Sequence, residues 1–225
     1  MRRCNMCIIA IYEGGARPTV DSVKTMMKNN ADGAGIAWTQ DGRVHAVKGL
    51  TSAAAVMDIV AGIPVGASIV FHARIATHGG VYSGMCHPFP VSRKIAPTSV
   101  AWSSDTSAFF HNGILRAWSP SAASRLSDSA IFCADVVAPL QLLGRVRRDA
   151  ILHRIAVSTA SKFAIIDSDG HISRLGDGWV FDGGVWYSNN SFRAPRYDVR
   201  PYGFGTSYIS RPSSTSTTKG GSKWY

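Results

Sequence analysis

Runs of strand-like sequence lie on both sides of one long apolar helical segment, and this order restricts the folds that the chain can adopt. The helical segment spans residues 129–143. The strand-like runs occupy residues 7–12, 68–73, 100–102 and 108–111 before it, and residues 163–166, 172–175, 179–181 and 185–187 after it. Strands that are followed by a helix and then by more strands favour a layered α+β fold over a regular βαβ alternation.

Local signals add a hairpin and two shorter helices to this pattern. The Asp-Gly pair at 41–42 separates two alternating segments, and this arrangement predicts a β-hairpin. Apolar residues have helical spacing at 21–29 and again at 52–60. The second of these helices has Thr51 or Ser52 as its expected N-cap.

The composition excludes disordered and membrane-spanning classes of protein. Of the 225 residues, 45% are hydrophobic and 17% are charged, which supplies enough apolar surface for a substantial core. No apolar run approaches the roughly 20 residues that are needed to span a bilayer. Two arginines precede the first apolar run, but the run lacks a small-residue cleavage site, so we expect a cytoplasmic protein with no membrane partner.

Half of the net charge of +10 lies near the C-terminus. Residues 193–225 carry six arginines and lysines against the single acid Asp198, and a second basic cluster lies at 145–154. The C-terminal segment is rich in Pro, Gly, Ser and Thr, and it cannot bury enough surface to offset its ordering entropy. We therefore expect residues 7–192 to be the folded domain and residues 193–225 to be a flexible basic tail.

Cys7 opens the first apolar run and is a candidate nucleophile. An ordinary cysteine thiol has a pKa of about 8.5 and is only slightly ionised at neutral pH. A cysteine at the N-terminus has a base of its own, because its α-amine titrates at about pH 8 and can accept the thiol proton. Translation from Met6, or removal of residues 1–6 as a leader, would expose Cys7 as the first residue. A small buried strand cysteine is the alternative interpretation.

A second group of polar residues follows the run that ends at Ala73. Arg74 can bind a carboxylate through two parallel hydrogen bonds, and Thr77 and His78 supply further donors beside it. A solvated turn or a structural ion pair explains such a loop equally well when the loop is considered alone.

Asn112, Gly113 and Asp128 form the third set of candidates. A side-chain amide followed by a glycine N–H can direct two donors at one oxygen, as an oxyanion hole requires. Asn-Gly is also a common turn dipeptide, so this pair alone leaves both interpretations open. Asp128, at the start of the long helical segment, is either an N-cap or first-turn acid or the partner of a substrate ammonium group.

Taken in order, these segments resemble class II glutamine amidotransferases, a branch of the N-terminal-nucleophile hydrolases. The resemblance covers residues 7–192, and its most specific parts are Arg-x-Ala-Thr-His-Gly at 74–79 and His-Asn-Gly at 111–113. The other matching segments are Met6-Cys7, residues 32–37, Lys48-Gly49, residues 86–89, residues 127–129 and residues 186–189.

The resemblance implies both a fold and a reaction. The fold is a four-layer αββα sandwich of two stacked, mainly antiparallel sheets. In the reaction, Cys7 attacks the side-chain amide of glutamine and forms a thioester, while its α-amine acts as the general base and ammonia leaves. Asn112 and the Gly113 N–H would hold the oxyanion. The resemblance implies no metal and no other cofactor.

The resemblance also implies how the substrate is held. Arg74 would bind the α-carboxylate of glutamine, with Thr77 and His78 lining the same pocket. Asp128 would pair with the α-ammonium group. Glutamine needs both an anion-binding group and a cation-binding group, so these assignments agree with what the residue types can do.

This chain departs from the family pattern at two positions. Ile8 follows the nucleophile, where family members usually have glycine, and Ile75 follows the pocket arginine, where an aromatic residue is common. Glutamine therefore remains the expected substrate, and another small amide is the alternative substrate. We expect no acceptor domain after residue 193, so a separate synthase is a candidate partner.

One alternative is a zinc-stabilised binding module. Cys4-x-x-Cys7 has zinc-ligand spacing, and Cys86-His87 could complete a set of four ligands. The four cysteines are otherwise too few for a disulfide framework in a chain of this length.

A second alternative is a non-catalytic protein of the same fold that binds nucleic acid. Its basic tail interleaves aromatic residues with arginines and lysines, as single-strand binders often do. The same tail could tether an active domain to nucleic acid, although charged tails are commonly just solvated.

Overall fold

Two β-sheets packed face to face form the centre of the structure, a computed structural model that describes residues 7–75, 82–96, 99–121 and 123–194. The strands are β1 (Ile8–Tyr12), β2 (Ala34–Gln40), β3 (Arg43–Leu50), β4 (Ile69–Ala73), β5 (Phe89–Pro90), β6 (Ala101–Ser104), β7 (Ala108–Asn112), β8 (Lys162–Ile166), β9 (Ile172–Leu175), β10 (Val180–Asp182) and β11 (Val185–Tyr187). The helices are α1 (Val20–Asn29), α2 (Ala53–Gly62), α3 (Asp128–Phe132), α4 (Ala138–Leu140) and α5 (Arg145–Ser158).

The strand β1 lies in the interior of the larger sheet. That sheet has seven strands in the order β10-β11-β1-β4-β2-β3-β6, and the smaller sheet has four in the order β5-β7-β8-β9. The pairs recorded among the described residues are all antiparallel. Ala10 of β1 lies opposite Tyr187 on one side and Phe71 on the other. Because an interior strand is hydrogen-bonded to a neighbouring strand along both edges, the backbone at the start of β1 is fixed in position.

Three apolar cores separate the layers. Successive residues of β1 point to opposite faces, so Ile8 packs with Met26 of α1 in the outer core while Ile9 packs with Phe110 in the core between the sheets. The third core, around Phe163, lies between the smaller sheet and the helices α3 and α5. The layers therefore run helices, sheet, sheet, helices, and the predicted α+β αββα sandwich is confirmed.

The first two helices begin where the sequence predicts. Thr19 and Ser22 form a capping box at the start of α1, with hydrogen bonds of 3.3 and 3.1 Å between each side chain and the other residue's backbone N–H. Of the two caps considered for α2, Ser52 is the one observed, since its hydroxyl accepts from the backbone N–H of Ala55 at 3.2 Å.

The long helical segment is present but irregular. A π-helical turn at Cys133–Val137 separates α3 from α4, and a 3-10 turn at Gln141–Leu143 follows. Pro139 has no N–H to donate, and in a regular α-helix its ring would collide with the carbonyl of Asp135. The helix therefore widens into the π-helical turn that precedes the proline.

Two features of the second half were not predicted. The four strands after the long helical segment are divided between the sheets, because β8 and β9 belong to the smaller sheet and β10 and β11 to the larger one. The basic cluster at 145–154 lies on a helix, α5, for which the sequence analysis had no expectation.

Several predictions of the sequence analysis lie outside the described residues. These are the leader at 1–6, the tail from residue 195 onward, and the substrate-binding residues Thr77 and His78. Within the described ranges, none of the helices has both the length and the apolar character that crossing a membrane requires.

Candidate active site

Cys7 stands immediately before β1, and the end of β11 holds this part of the chain in place. The side-chain amide of Asn189 donates to the carbonyl oxygen of Cys7 at 2.7 Å. Two residues further, the backbone N–H of Ile9 donates to Ser188 Oγ at 2.8 Å, and the Ser188 N–H donates to the Ile9 carbonyl at 2.9 Å. The position of the cysteine therefore depends on two residues that lie far away in the sequence.

The thiol of Cys7 is protonated at neutral pH in this environment. Burial raises its pKa, and the Ile75 N–H and the charge of Arg74 oppose that rise only in part. The sulfur accepts from the Ile75 N–H at 3.3 Å and lies 3.4 Å from the Ile75 carbonyl oxygen. A nucleophilic role for Cys7 consequently requires a base that removes its proton.

Four of the residues predicted from the sequence line the same pocket. Cys7, Arg74, Gly113 and Asp128 all contribute to its wall. They come from separate parts of the chain, namely the start of β1, the end of β4, the end of β7 and the start of α3. Of the other predicted residues, Asn112 is buried and is not part of this wall, and Thr77 and His78 lie outside the described residues.

Arg74 is fixed by its backbone at the end of β4. Its N–H donates to the Gly33 carbonyl at 2.8 Å, and its carbonyl accepts from the Asp32 N–H at 2.9 Å. The side chain is only 5% exposed, and it lies close enough to Cys7 and Cys86 for its positive charge to lower the pKa of both thiols. A buried guanidinium at the wall of a pocket is suited to binding an anion.

Asn112 ends β7 and reaches the same serine that contacts β1. Its side-chain nitrogen Nδ2 lies 2.7 Å from Ser188 Oγ, both residues being buried. In this orientation Asn112 Oδ1 is buried with no partner among the described residues. Ser188 Oγ therefore lies within hydrogen-bond distance of both the nucleophile strand and the predicted oxyanion amide.

Gly113 adopts a conformation that other residues rarely adopt. Its φ is +149°, and a Cβ at this position would collide with the hydroxyl of Ser161 and lie 2.9 Å from His111 Nε2. Glycine is thus required at this point for steric and conformational reasons. Gly113 also forms part of the pocket wall.

Asp128 is the first residue of α3, while Ser127 is the N-cap. One carboxylate oxygen of Asp128 accepts from the Leu115 N–H at 2.8 Å, and the other accepts from the Ser129 N–H at 2.7 Å. These bonds hold the carboxylate at the pocket wall. Both interpretations from the sequence therefore remain available, because a first-turn acid at this position also faces the pocket.

Three buried, neutral histidines lie at or behind the pocket wall, and the sequence analysis gave them no catalytic role: His87 and His111 line the pocket, and the ring of His72 lies 4.3 Å from that of His87. Burial lowers the pKa of His111 to about 4 and that of His72 to about 3, and it lowers the pKa of His87 well below its ordinary value. His111 bonds to Ser129 Oγ at 2.8 Å and to Ser161 Oγ at 3.1 Å. In the sequence, the only sign of these three histidines was that they lie within or beside segments that resemble the family.

The zinc alternative finds no support within the described ranges. There, no three side chains of His, Cys, Asp or Glu are grouped so that they could hold a metal ion. Cys7, Cys86 and Cys133 are free thiols, and Cys4 lies outside the described residues.

Comparisons with known proteins give little further information. No protein-family model and no curated protein matches this chain. A solved structure of glutamine phosphoribosylpyrophosphate amidotransferase from B. subtilis, complexed with ADP and GMP, is similar at 14% identity and a TM-score of 0.42. The match covers 80% of this chain and 41% of that one, so this chain spans about two fifths of the length of that protein.

Proposed function

We propose that this chain hydrolyses the side-chain amide of glutamine through a thioester on Cys7. The observation that carries the proposal is that Cys7, Arg74, Gly113 and Asp128 line one pocket although they are distant in the sequence. Such a pocket combines a cysteine, a cation, an anion and a glycine at its wall. An amino acid with a carboxamide side chain presents a complementary partner for each of them.

The first step needs a base, and the α-amine of Cys7 would supply it. With residues 1–6 removed, this amine is on the same residue as the thiol and accepts its proton. The thiolate attacks the amide carbon, and the proton then passes to the leaving nitrogen, so that ammonia departs and a thioester remains. Water attacks the thioester in the second step, which releases glutamate and restores the thiol.

The oxyanion would be held by Asn112 and the Gly113 N–H. Ser188 Oγ already accepts from the Ile9 N–H, so its own proton has no acceptor if Asn112 donates to it as well. Reversing the Asn112 amide lets Ser188 donate to Oδ1 and turns the NH2 group into the free donor. We adopt this orientation because it leaves fewer buried groups unpaired and supplies the donor that the oxyanion needs.

Recognition of the amino acid would use opposite charges at the two ends of its backbone. Arg74 would bind the α-carboxylate and Asp128 the α-ammonium group, with Thr77 and His78 as further pocket residues. The proposed partner is a separate synthase that consumes the ammonia.

The decisive experiment compares the full chain with a chain that begins at Cys7. The shortened chain should release ammonia from glutamine, while the full chain retaining Met1 should be weak or inactive. Cys7→Ala in the shortened chain is the matched control, and it should abolish the activity without unfolding the protein. Equal activity with and without residues 1–6 would exclude the α-amine as the base.

Intact-mass analysis supplies a second, independent measurement. Protein treated with the glutamine analogue 6-diazo-5-oxo-norleucine should gain one adduct on Cys7. The same spectrum reports where the natively expressed chain begins. A folded, correctly processed chain that neither hydrolyses glutamine nor reacts with the analogue would instead favour the non-catalytic alternative.

A further inference from the structure

A second pocket adjoins the proposed active site, because α3 contributes to both. Asp128 and Ser129 line the first pocket, whereas Ala130 and Cys133 line the second. Lys48 reaches the second pocket from β3, and the proposed amide hydrolysis makes no use of this residue.

Lys48 is a buried cation with no anionic partner among the described residues. It is 4% exposed, and its ammonium group lies 4.6 Å from the centre of the Phe89 ring. Within the described ranges, the ammonium group makes this contact with an aromatic face but no hydrogen bond and no ion pair. Buried charges in proteins are normally paired with an opposite charge or bonded to several polar groups.

The neighbouring thiols do not act as counterions. Cys86 and Cys133 are the titratable groups whose charge would act on the Lys48 ammonium group. Burial raises the pKa of both thiols, that of Cys133 to about 12. Both are therefore neutral at pH 7. Burial lowers the pKa of Lys48 only to about 8, so its ammonium group still carries its charge at neutral pH. The pocket consequently has a positive charge at its wall and no negative charge to balance it.

The rest of the lining restricts the kind of anion that fits. Phe89, Ile95 and Ala130 give the pocket apolar walls. Its other polar side chains are Lys94, which is exposed, and Ser92, whose hydroxyl accepts from the Lys94 N–H at 3.1 Å. Two ammonium groups and one hydroxyl are few donors for the several oxygens of a phosphate, but they suffice for the two oxygens of a carboxylate, and the apolar walls suit a short aliphatic chain.

We propose that this pocket binds a small aliphatic monocarboxylate, with Lys48 as its counterion and the apolar wall around Phe89 in contact with the aliphatic part. Lys94 at the mouth adds a second, weaker attraction for the anion. The site is separate from Cys7 and Arg74, so its existence does not depend on the proposed hydrolysis of glutamine.

Titration of the full chain with propanoate at pH 7 tests the proposal. Backbone amide signals of Lys48, Phe89 and Ala130 should shift in a saturable manner in an NMR experiment. Lys48→Met keeps the length of the side chain but removes the charge, and it should weaken binding about tenfold or more. Lys94→Met should have a smaller effect, and Cys7→Ala should bind as the unaltered chain does.

A measurement on the unaltered chain covers the case in which the Lys48 variant does not fold. Saturating propanoate should raise the pKa of the Lys48 ammonium group, observed directly by its nitrogen and side-chain proton signals, because a bound anion stabilises the charged form. Absence of saturable shifts, an unchanged pKa of Lys48, or equal affinity in Lys48→Met would each overturn the proposal.

Discussion

The hydroxyl of Ser188 lies 2.7 Å from the side-chain amide of Asn112 and 2.8 Å from the backbone nitrogen of Ile9. One oxygen atom thus connects the strand that carries the nucleophile to the amide that is proposed to hold the oxyanion. Three elements meet at this atom, because Ile9 belongs to β1, Asn112 ends β7 and Ser188 follows β11. The orientation of the amide therefore depends on a residue that does not line the pocket.

Ser188→Ala should lower kcat for glutamine about tenfold to a hundredfold while KM changes little, since loss of one oxyanion donor acts on the transition state. Ser188→Thr keeps the hydroxyl and should retain most of the activity. Steady-state ammonia release from the chain that begins at Cys7 measures both values. A purely structural role would instead give similar losses in both variants, or a change in KM alone.

Gly113→Ala should reduce the free energy of unfolding by about 2–4 kcal/mol, because strain at positive φ adds to overpacking against Ser161. Gly14→Ala is the matched control, since its φ is +61° and no atom lies within 4 Å of the added Cβ. The control should lose only about 1 kcal/mol. Urea unfolding of the two variants measures the difference, and equal losses would contradict the steric argument.

Acid should destabilise the fold through its buried histidines. His72 has a folded pKa of about 3 and His111 of about 4, against an ordinary value of 6.5. Between pH 6.5 and about 4 the unfolded chain binds protons that the folded chain does not, so stability falls as the pH falls. Each such histidine contributes up to about 1.4 kcal/mol per pH unit in this range.

His72→Phe isolates one of these contributions. The variant keeps an aromatic ring beside His87 but cannot take up a proton in the unfolded state, so its stability should depend less steeply on pH below about 6.5. Above pH 7 the slopes of variant and parent should coincide, because this histidine is neutral in both states there. Urea unfolding over a pH series makes the measurement, and identical slopes throughout would contradict the assignment.

Arg148→Met should destabilise the protein by about 3–5 kcal/mol, because it leaves the carboxylate of Asp167 without its buried partner. Arg148 is 1% exposed and donates to Asp167 at 2.8 and 3.0 Å and to Asp149 at 2.8 Å. Arg147→Met, at the preceding and exposed position of α5, should change stability by less than about 0.5 kcal/mol. Addition of Asp167→Asn to Arg148→Met should recover part of the loss.

The same arginine explains why α5 escaped prediction. A helix is recognised from apolar residues on its buried face, but α5 buries Arg148 there and leaves Val146 84% exposed and Val157 44% exposed. Asp167, which follows β8, and Asp149, the next residue of α5, pair with the buried arginine. The contact with Asp167 spans 19 positions and is not visible in a local pattern. The regular strands, in contrast, could be predicted directly from their short apolar runs.

The sequence indicated candidate residues for the site but few of their connections. Cys7 opens an apolar run, and Arg74, Asn112 and Gly113 lie at the ends of others; of these four, Cys7, Arg74 and Gly113 line one pocket. The role of Ser188 could not be predicted, because its contact with Asn112 spans 76 positions and depends on the pairing of β11 with β1. Such long-range register has no signature in one sequence.

The hydrogen bond from Asn189 to the carbonyl oxygen of Cys7 has a consequence for maturation of the chain. In the described part of the chain, anchorage of this end of the sheet begins at that carbonyl and continues at Ile9, without using the Cys7 nitrogen. An aminopeptidase or a start codon placed later could therefore shorten the chain up to that nitrogen without breaking any of these anchoring bonds. Removal of residues 1–6 after folding would leave these bonds in place, and the freed amine would lie on the same residue as its sulfur.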